Sequence, residues 1–408
     1  MKKIRINHPT KKVIGRISIP GSKSESNRLL ILKALYFPKL QVSGLSDSRD
    51  TQYIQKALTE RSSTVDVGDA GTAMRFLTAY LALSGREYIL TGSSRMKERP
   101  IGILVDALNR LGANITYLEK EGYPPLQIRQ GNLSGGEINL DSTVSSQFIS
   151  ALMMIGPALQ GGLSLKMTGF SVSAPYIYLT ANLMRRLGFK VKVLGEQIRV
   201  EDFIPKPPAQ FQVEPDWSSA SYWFLISLLA QKAEIYLPGF RQYSLQGDAF
   251  VSGLFEPLGV HSHYIGSGFR LKKGEARQNE NYRLSLVHNP DLAQTLSVAF
   301  AALRLPATIH GLQTLRIKET DRLEALQREL YKAGAKLQIG KDYLKIQKGF
   351  DEWEEVHFES WNDHRMAMSL APLALLRPIF ISDPDVVNKS YTSFWDDLKK
   401  VGFVIEEI

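Results

Sequence analysis

Stretches with apolar residues on one helical face alternate along this chain with short β-branched runs, and the alternation itself repeats. Five of the helical stretches close on a shared signature: Arg110-Leu-Gly112-Ala, Arg186-Leu-Gly188-Phe, Pro257-Leu-Gly259-Val, Lys332-Ala-Gly334-Ala and Lys400-Val-Gly402-Phe. The glycines recur at intervals of about 73 residues, the mark of a repeated structural unit. Each stands where a helix stop needs a backbone free to turn left-handed, with an apolar residue next to start a strand.

A second element recurs between these stops, a polar turn of small residues running into an apolar helix. It is found at Gly21-Ser-Lys-Ser-Glu-Ser-Asn-Arg28, Asp69-Ala-Gly-Thr-Ala-Met-Arg75, Ser145-Ser-Gln-Phe148, Ser218-Ser-Ala-Ser-Tyr222, Asn289-Pro-Asp-Leu-Ala293 and Asn362-Asp-His-Arg365. Runs such as Tyr88-Ile-Leu, Lys190-Val-Lys-Val and Glu234-Ile-Tyr-Leu fill the gaps as strands. The unit thus holds two helices and about four strands, a βαβαββ-like repeat, and six copies nearly account for the chain. The first copy is short: the interval from residue 21 to 69 leaves room for a helix over 50–60 but not for two further strands. Paired helices with mixed strands predict an α/β fold of two domains with three units each, sheets outside and helices facing inward. We place the N-terminal domain at 21–244. The C-terminal domain takes 245–408 together with 1–20, because 3–6 and 13–19 enter as strand-like runs.

Composition narrows the classes of function. With 408 residues, 44% hydrophobic and 22% charged, the chain is long enough for two cores and too apolar for global disorder. The apolar runs at 149–159 and 224–230 fall short of the ~18–20 residues of a membrane span. The first residues lack the apolar segment of a secretory signal, so a cytoplasmic protein is expected. Zero cysteines exclude disulfides, thiolate metal sites and a cysteine nucleophile. The net charge of +9 invites a polyanionic partner, yet basic residues never run beyond pairs such as Lys2-Lys3 and Lys11-Lys12. That distribution argues against nucleic acid, and a diffuse excess of this kind ordinarily marks only a solvated surface, with a small polyanionic substrate as the alternative.

The anion-binding chemistry is written at the helix starts. A helix N-terminus carries about half a positive charge, so cations are disfavoured there unless an anion joins them. Here Lys23 and Arg28 open one helix, and Lys97 and Arg99 precede Pro100, a residue suited to the first helical position. Lys318 and Arg322, spaced to share a helix face and repel, open another, as do His364 and Arg365. Ser24, Ser145, Ser146, Gln147, Ser173 and Tyr176 supply neutral donors in turns before helices, and Ser145-Ser-Gln147 holds more donors than one cap uses. Asp291, Glu319 and Asp363 are the acid/base candidates, with a helix cap as the alternative for each Asp. Seven scattered histidines give no metal-ligand spacing, and no metal is expected.

With Arg95-Met-Lys-Glu-Arg-Pro100, Val172-Ser-Ala-Pro-Tyr-Ile177, Gln246-Gly-Asp248, Lys318-Glu-Thr-Asp-Arg322 and Asn362-Asp-His-Arg-Met366 added to the turns above, the chain resembles the 5-enolpyruvylshikimate-3-phosphate synthase family over nearly its whole length. The resemblance implies the two-domain inside-out α/β barrel of the enolpyruvyl transferases, whose active site lies between domains that close. It implies that enolpyruvate passes from phosphoenolpyruvate to the 5-hydroxyl of shikimate 3-phosphate, with phosphate released and no cofactor or metal. Shikimate 3-phosphate would meet Lys23, Ser24, Arg28, Ser145, Ser146, Gln147, Ser173, Tyr176, Asp291, Thr314 and Lys318. Phosphoenolpyruvate would meet Lys23, Asp69, Gly71, Arg99, Gln147, Arg322, Arg365 and Lys389. Catalysis would fall to Lys23, Asp291, Glu319 and Lys389, with Asp291 taking the hydroxyl proton and Glu319 protonating the methylene carbon. The family usually has Asn at the positions of Asp69 and Thr314. Asp69 adds a negative charge that Arg75 or Lys23 would have to neutralise. The enzyme is expected to be a monomer. Alternatives are a non-catalytic anion-binding descendant, which should have lost Lys23, Asp291 or Glu319, and the related transferase acting on UDP-N-acetylglucosamine.

Overall fold

All five signature glycines have left-handed backbones, with φ of 98° at Gly112, 93° at Gly188, 94° at Gly259, 85° at Gly334 and 101° at Gly402. Each ends a helix in a conformation that costs a side-chain-bearing residue about 1–2 kcal/mol. The computed structural model describes every residue except Met1, Arg61, 142–144, 169–173, Pro207 and 278–280.

The described strands form six sheets, five of four strands and one of two. The chain divides into two compact units, Gly21–Val213 and the combination of Met1–Pro20 with Glu214–Ile408. Three sheets belong to each. In the unit Gly21–Val213 they are built on Leu163–Thr168 with its neighbours, on Tyr88–Thr91 with its neighbours, and on the pair Gln41–Ser43 and Gln210–Gln212. That parallel pair, with Val42 opposite Phe211, is all the sheet the shortened first repeat retains among the described residues.

The other unit explains why the chain start belongs with its end. Strand Lys3–Asn7 lies between Ile379–Ser382 and Val404–Glu407, antiparallel to both. Strand Lys12–Arg16 runs parallel to Lys232–Pro238, with Val13 opposite Ala233. The alternating burial of Lys232–Pro238 shows one face turned to the core.

The boundary departs from the sequence-based placement at 244. The second crossing falls between Val213 and Glu214. Helix Trp217–Leu229 is buried on all sides, as a helix apolar all round must be. It packs in the core with Ile235, Phe255 and Phe394, and Trp223 Nε1 donates to the Tyr391 hydroxyl at 3.2 Å. Ser218–Tyr222, expected as a turn and found inside this helix, repeats a pattern common to both units, so the pattern alone could not assign it.

Candidate functional site

In the unit containing the chain ends, several of the side chains singled out in the sequence gather around Arg322. The sequence predicts Lys318 and Arg322 on one helix face, but Gln313–Ile317 is a 3₁₀ turn, Lys318 follows it, and the helix Arg322–Lys332 begins only at Arg322. Asp321 caps that helix, accepting from the amides of Leu323 at 3.1 Å and Glu324 at 3.2 Å. The two cations therefore share no helix face, and the expected repulsion has no geometric basis.

The Arg322 side chain is 2% exposed. Its Nε donates to Asp363 at 2.7 Å, Nη1 to Asp291 at 3.1 Å and Nη2 to Glu319 at 2.9 Å. Burial works to lower its pKa, but the charges of Asp363, Glu319 and Asp291 outweigh burial and raise it. Asp363 also caps the helix His364–Leu370 by accepting from the Arg365 amide at 2.8 Å. Arg365 in turn donates from Nη2 to Asp291 at 2.9 Å. Lys389, at the end of the 3₁₀ turn Pro384–Lys389, stands 3.1 Å from Glu319. Asp291 belongs to the 3₁₀ turn Pro290–Leu292, and its carboxylate meets both Arg322 and Arg365. Thr314 lies in the neighbouring 3₁₀ turn with a buried hydroxyl that finds no hydrogen-bond partner among the described residues.

Sequence reasoning assigned no role to Asp248, although Gln246-Gly-Asp248 is one of the motifs that carry the resemblance. It is buried, and accepts from the Ser218 hydroxyl and from Asn289 Nδ2, the latter at 3.2 Å. Burial, then the charge of Asp291, pushes its carboxyl up to about 6. Asn289 stands two residues before Asp291, so Asp248 braces the turn that presents that carboxylate.

In the unit Gly21–Val213, Lys23 is the first residue of helix Lys23–Tyr36, which Ser22 caps. Its ammonium stands 3.5 Å from Asp50 near the start of helix Arg49–Thr59. Ser24 lies within the helix, not in a turn before it, and its carbonyl accepts from Arg28 Nη1 at 2.9 Å. Arg28 is buried, donates to the hydroxyls of Thr180 at 2.7 Å and Ser150 at 3.2 Å, and lies 5.2 Å from the centre of the Phe76 ring. Burial lowers its pKa, which the Tyr176 interaction partly offsets. Ser145 caps helix Ser146–Ile155 through the Gln147 amide at 3.2 Å, and Gln147 Nε2 reaches the Thr72 hydroxyl at 3.2 Å. Ser173 falls outside the described residues.

Gly71 opens helix Gly71–Ala82 directly beneath the Arg99 guanidinium. Pro100 is not the first residue of the next helix, which runs Gly102–Arg110 with Ile101 at its cap. Instead the Pro100 carbonyl accepts from Arg75 Nη2 at 2.9 Å, while Arg75 Nη1 meets the Gly71 carbonyl at 3.4 Å and the Met96 sulfur at 3.3 Å. Buried Arg75 thus ties the glycine turn to the segment carrying Arg99. Neither Arg75 nor Lys23 pairs with Asp69, whose carboxylate accepts from the Ser93 hydroxyl instead. Asp69 is held as a structural acceptor at the start of the turn Ser94–Lys97, which Ser93 caps.

Three comparisons bear on these groups. The family model described as EPSP synthase (3-phosphoshikimate 1-carboxyvinyltransferase) matches residues 54–398. A Bacteroides fragilis protein named 3-phosphoshikimate 1-carboxyvinyltransferase is 46% identical over 396 residues, covering 96% of each chain. One of the same name from Pasteurella multocida is 36% identical, covering 95% of this chain and 96% of its own. Among solved structures, an EPSP synthase from Acinetobacter baumannii superposes with a TM-score of 0.80 at 20% identity, covering 100% of both chains. The enolpyruvyl transferase NikO from Streptomyces tendae gives 0.76 at 14% identity over 100% of this chain and 99% of its own. The last two establish the shared fold.

Proposed function

This chain belongs to the EPSP synthase family, and from that premise we propose how its residues divide the work of the reaction. It transfers the enolpyruvyl group of phosphoenolpyruvate to the 5-hydroxyl of shikimate 3-phosphate and releases phosphate, a step of the shikimate pathway towards the aromatic amino acids.

In our reading, shikimate 3-phosphate is held by Lys23, Ser24, Arg28, Ser145, Ser146, Gln147, Ser173, Tyr176, Thr314 and Lys318. Phosphoenolpyruvate is held by Lys23, Gly71, Arg99, Gln147, Arg322, Arg365 and Lys389. Asp69 drops from the direct contacts, since its carboxylate is engaged by Ser93. Asp291 removes the proton of the 5-hydroxyl, Glu319 delivers a proton to the methylene carbon of phosphoenolpyruvate, and the hydroxyl oxygen bonds to the adjacent carbon. Loss of phosphate and of a methyl proton from that tetrahedral intermediate restores the double bond. The protein acts as a cytoplasmic monomer without metal or organic cofactor. Among the described residues no helix is long and apolar enough to cross a membrane.

One observation supports the roles above all others. Asp291 and Glu319 contact different terminal nitrogens of one buried guanidinium, Asp291 pairing also with Arg365 and Glu319 with Lys389, so two carboxylates are held side by side with different second partners. The test is phosphate release with both substrates: Asp291→Asn and Glu319→Gln should each lower kcat by about 10²-fold or more while both substrates still bind. Wild-type kcat in either variant would make that residue structural.

A further inference from the structure

The cations assigned to phosphoenolpyruvate are already neutralised by the protein. Arg322, Arg365 and Lys389 face Asp291, Glu319 and Asp363, three positive charges against three negative ones. The three carboxylates differ in kind. Asp363 has no exposure at its side chain and takes Arg322 Nε together with the Arg365 amide, so it is locked into the core. Asp291 and Glu319 are 14% and 16% exposed and occupy the terminal guanidinium nitrogens, the donors an anionic ligand uses. A phosphate or carboxylate arriving at Arg322, Arg365 and Lys389 meets seats that are taken.

We propose that Asp291 and Glu319 serve as built-in stand-ins for the substrate anion, so that phosphoenolpyruvate binds by displacing them and the enzyme takes up a proton as it does so. The inference rests on the reading that these three cations receive phosphoenolpyruvate. Its physical basis is charge balance. Adding a multiply charged anion to a neutral, largely buried cluster leaves uncompensated negative charge, and a carboxylate stripped of its cation binds a proton more readily. Around Arg322 and Asp291, the other titratable groups facing the cluster do not relieve this. Asp248 adds another carboxyl beside Asp291, and Tyr222 is buried with its hydroxyl pKa pushed up by burial. His364 stands 3.8 Å from Asp363, which already accepts from Arg322 Nε and Nη2 and from the Arg365 amide. The proton comes from solvent, and Glu319 receives it, breaking its pairs with Arg322 and Lys389. Binding one substrate thereby loads the acid that later protonates the methylene carbon, while Asp291, freed from Arg365, becomes the stronger base.

The experiment is calorimetric titration of the full chain with phosphoenolpyruvate alone, so that no turnover occurs. It is run at pH 8, where the ligand's own phosphate is fully ionised, in buffers of different ionisation enthalpy. Wild type should take up about one proton per ligand bound. Glu319→Gln should abolish most of that uptake, and both Glu319→Gln and Asp291→Asn should bind phosphoenolpyruvate about three- to tenfold more tightly than wild type, since each removes a competing anion. No proton uptake by wild type, or no gain in affinity in either variant, overturns the proposal. The kcat of the same variants separates the two readings. Unchanged kcat in the variants, with uptake seen in wild type but lost in Glu319→Gln and with tighter binding by both variants, would leave the exchange standing and remove the catalytic roles. Lost kcat without uptake or tighter binding would do the reverse.

Discussion

A methyl carbon placed on Gly71 would stand 2.7 Å from one terminal nitrogen of Arg99 and 2.9 Å from the other. The absence of a side chain at Gly71 is therefore what lets the guanidinium lie flat against the helix start. Because the obstructed atoms are the far end of a flexible side chain, Gly71→Ala should displace Arg99 and leave the fold intact. Phosphoenolpyruvate KM should rise about tenfold, the scale of one charge-assisted hydrogen bond, with little change in Tm. The double variant Gly71→Ala/Arg99→Ala should be no worse than Arg99→Ala alone. Additive losses in steady-state kinetics would separate the two residues.

Asp363→Asn should be far more damaging to stability than Glu319→Gln. Removing the charge at Asp363 leaves Arg322 without its most buried partner, a change that costs about 3–5 kcal/mol, whereas Glu319 shares its charge with the better-exposed Lys389. Urea unfolding of the two variants compares them directly. Equal midpoints would mean that Asp363 contributes as a helix cap only.

Asp248 makes stability depend on pH. Its carboxyl is raised from 3.8 to about 6 in the folded protein, so the native state binds this proton more tightly than the unfolded chain. Its contribution is fully present below pH 4 and is lost as pH rises through 6. Asp248→Asn, which mimics the protonated form, should flatten the decline in Tm between pH 4 and 7, so that the variant compares better with wild type at pH 7 than at pH 4. A parallel pH profile for both proteins would contradict this.

Gly334→Ala tests a helix stop, with Gly266→Ala, in the hairpin turn between strands Val260–Ile265 and Gly268–Lys273, as its comparison. Both glycines have positive φ, 85° and 62°. A methyl at Gly334 would also stand 2.5 Å from an Asp351 oxygen, while one at Gly266 meets nothing within 4 Å. The backbone term of about 1–2 kcal/mol applies to both, so Gly334→Ala should lose distinctly more stability in denaturant titrations.

The six-part architecture was readable because its two markers are local: a glycine that must turn left-handed, and a short polar turn feeding an apolar helix. The strand deficit of the first repeat was equally readable, since chain length limits strands directly. What sequence could not assign was partnership. Whether Trp217–Leu229 belonged to one unit or the other depends on Tyr391, far along the chain. The cations and the carboxylates Asp291, Glu319 and Asp363 were each singled out in the sequence, but not their pairing with one another, because no spacing rule links them. Arg322 meets Glu319 three residues away, but Asp291 and Asp363 reach it across 31 and 41 positions. Asp248 went unassigned for the same reason: its effect on Asp291 passes through Asn289, and only the fold brings them together.

The pairing of Lys3–Asn7 with Ile379–Ser382 and Val404–Glu407 sets an order of events during synthesis. The segment 21–213 holds all the partners of its own sheets and can fold as soon as it leaves the ribosome. The strands Lys3–Asn7 and Lys12–Arg16 cannot, because even their earliest partner, Lys232–Pro238, emerges roughly 10–40 s later at ~5–20 residues per second. Through that interval they are alternating, strand-prone sequence with open edges. Lys2, Lys3, Arg5, Lys11, Lys12 and Arg16 interleave there with Ile4, Ile6, Val13 and Ile14, and like charges along an unpaired strand hinder its pairing with another chain.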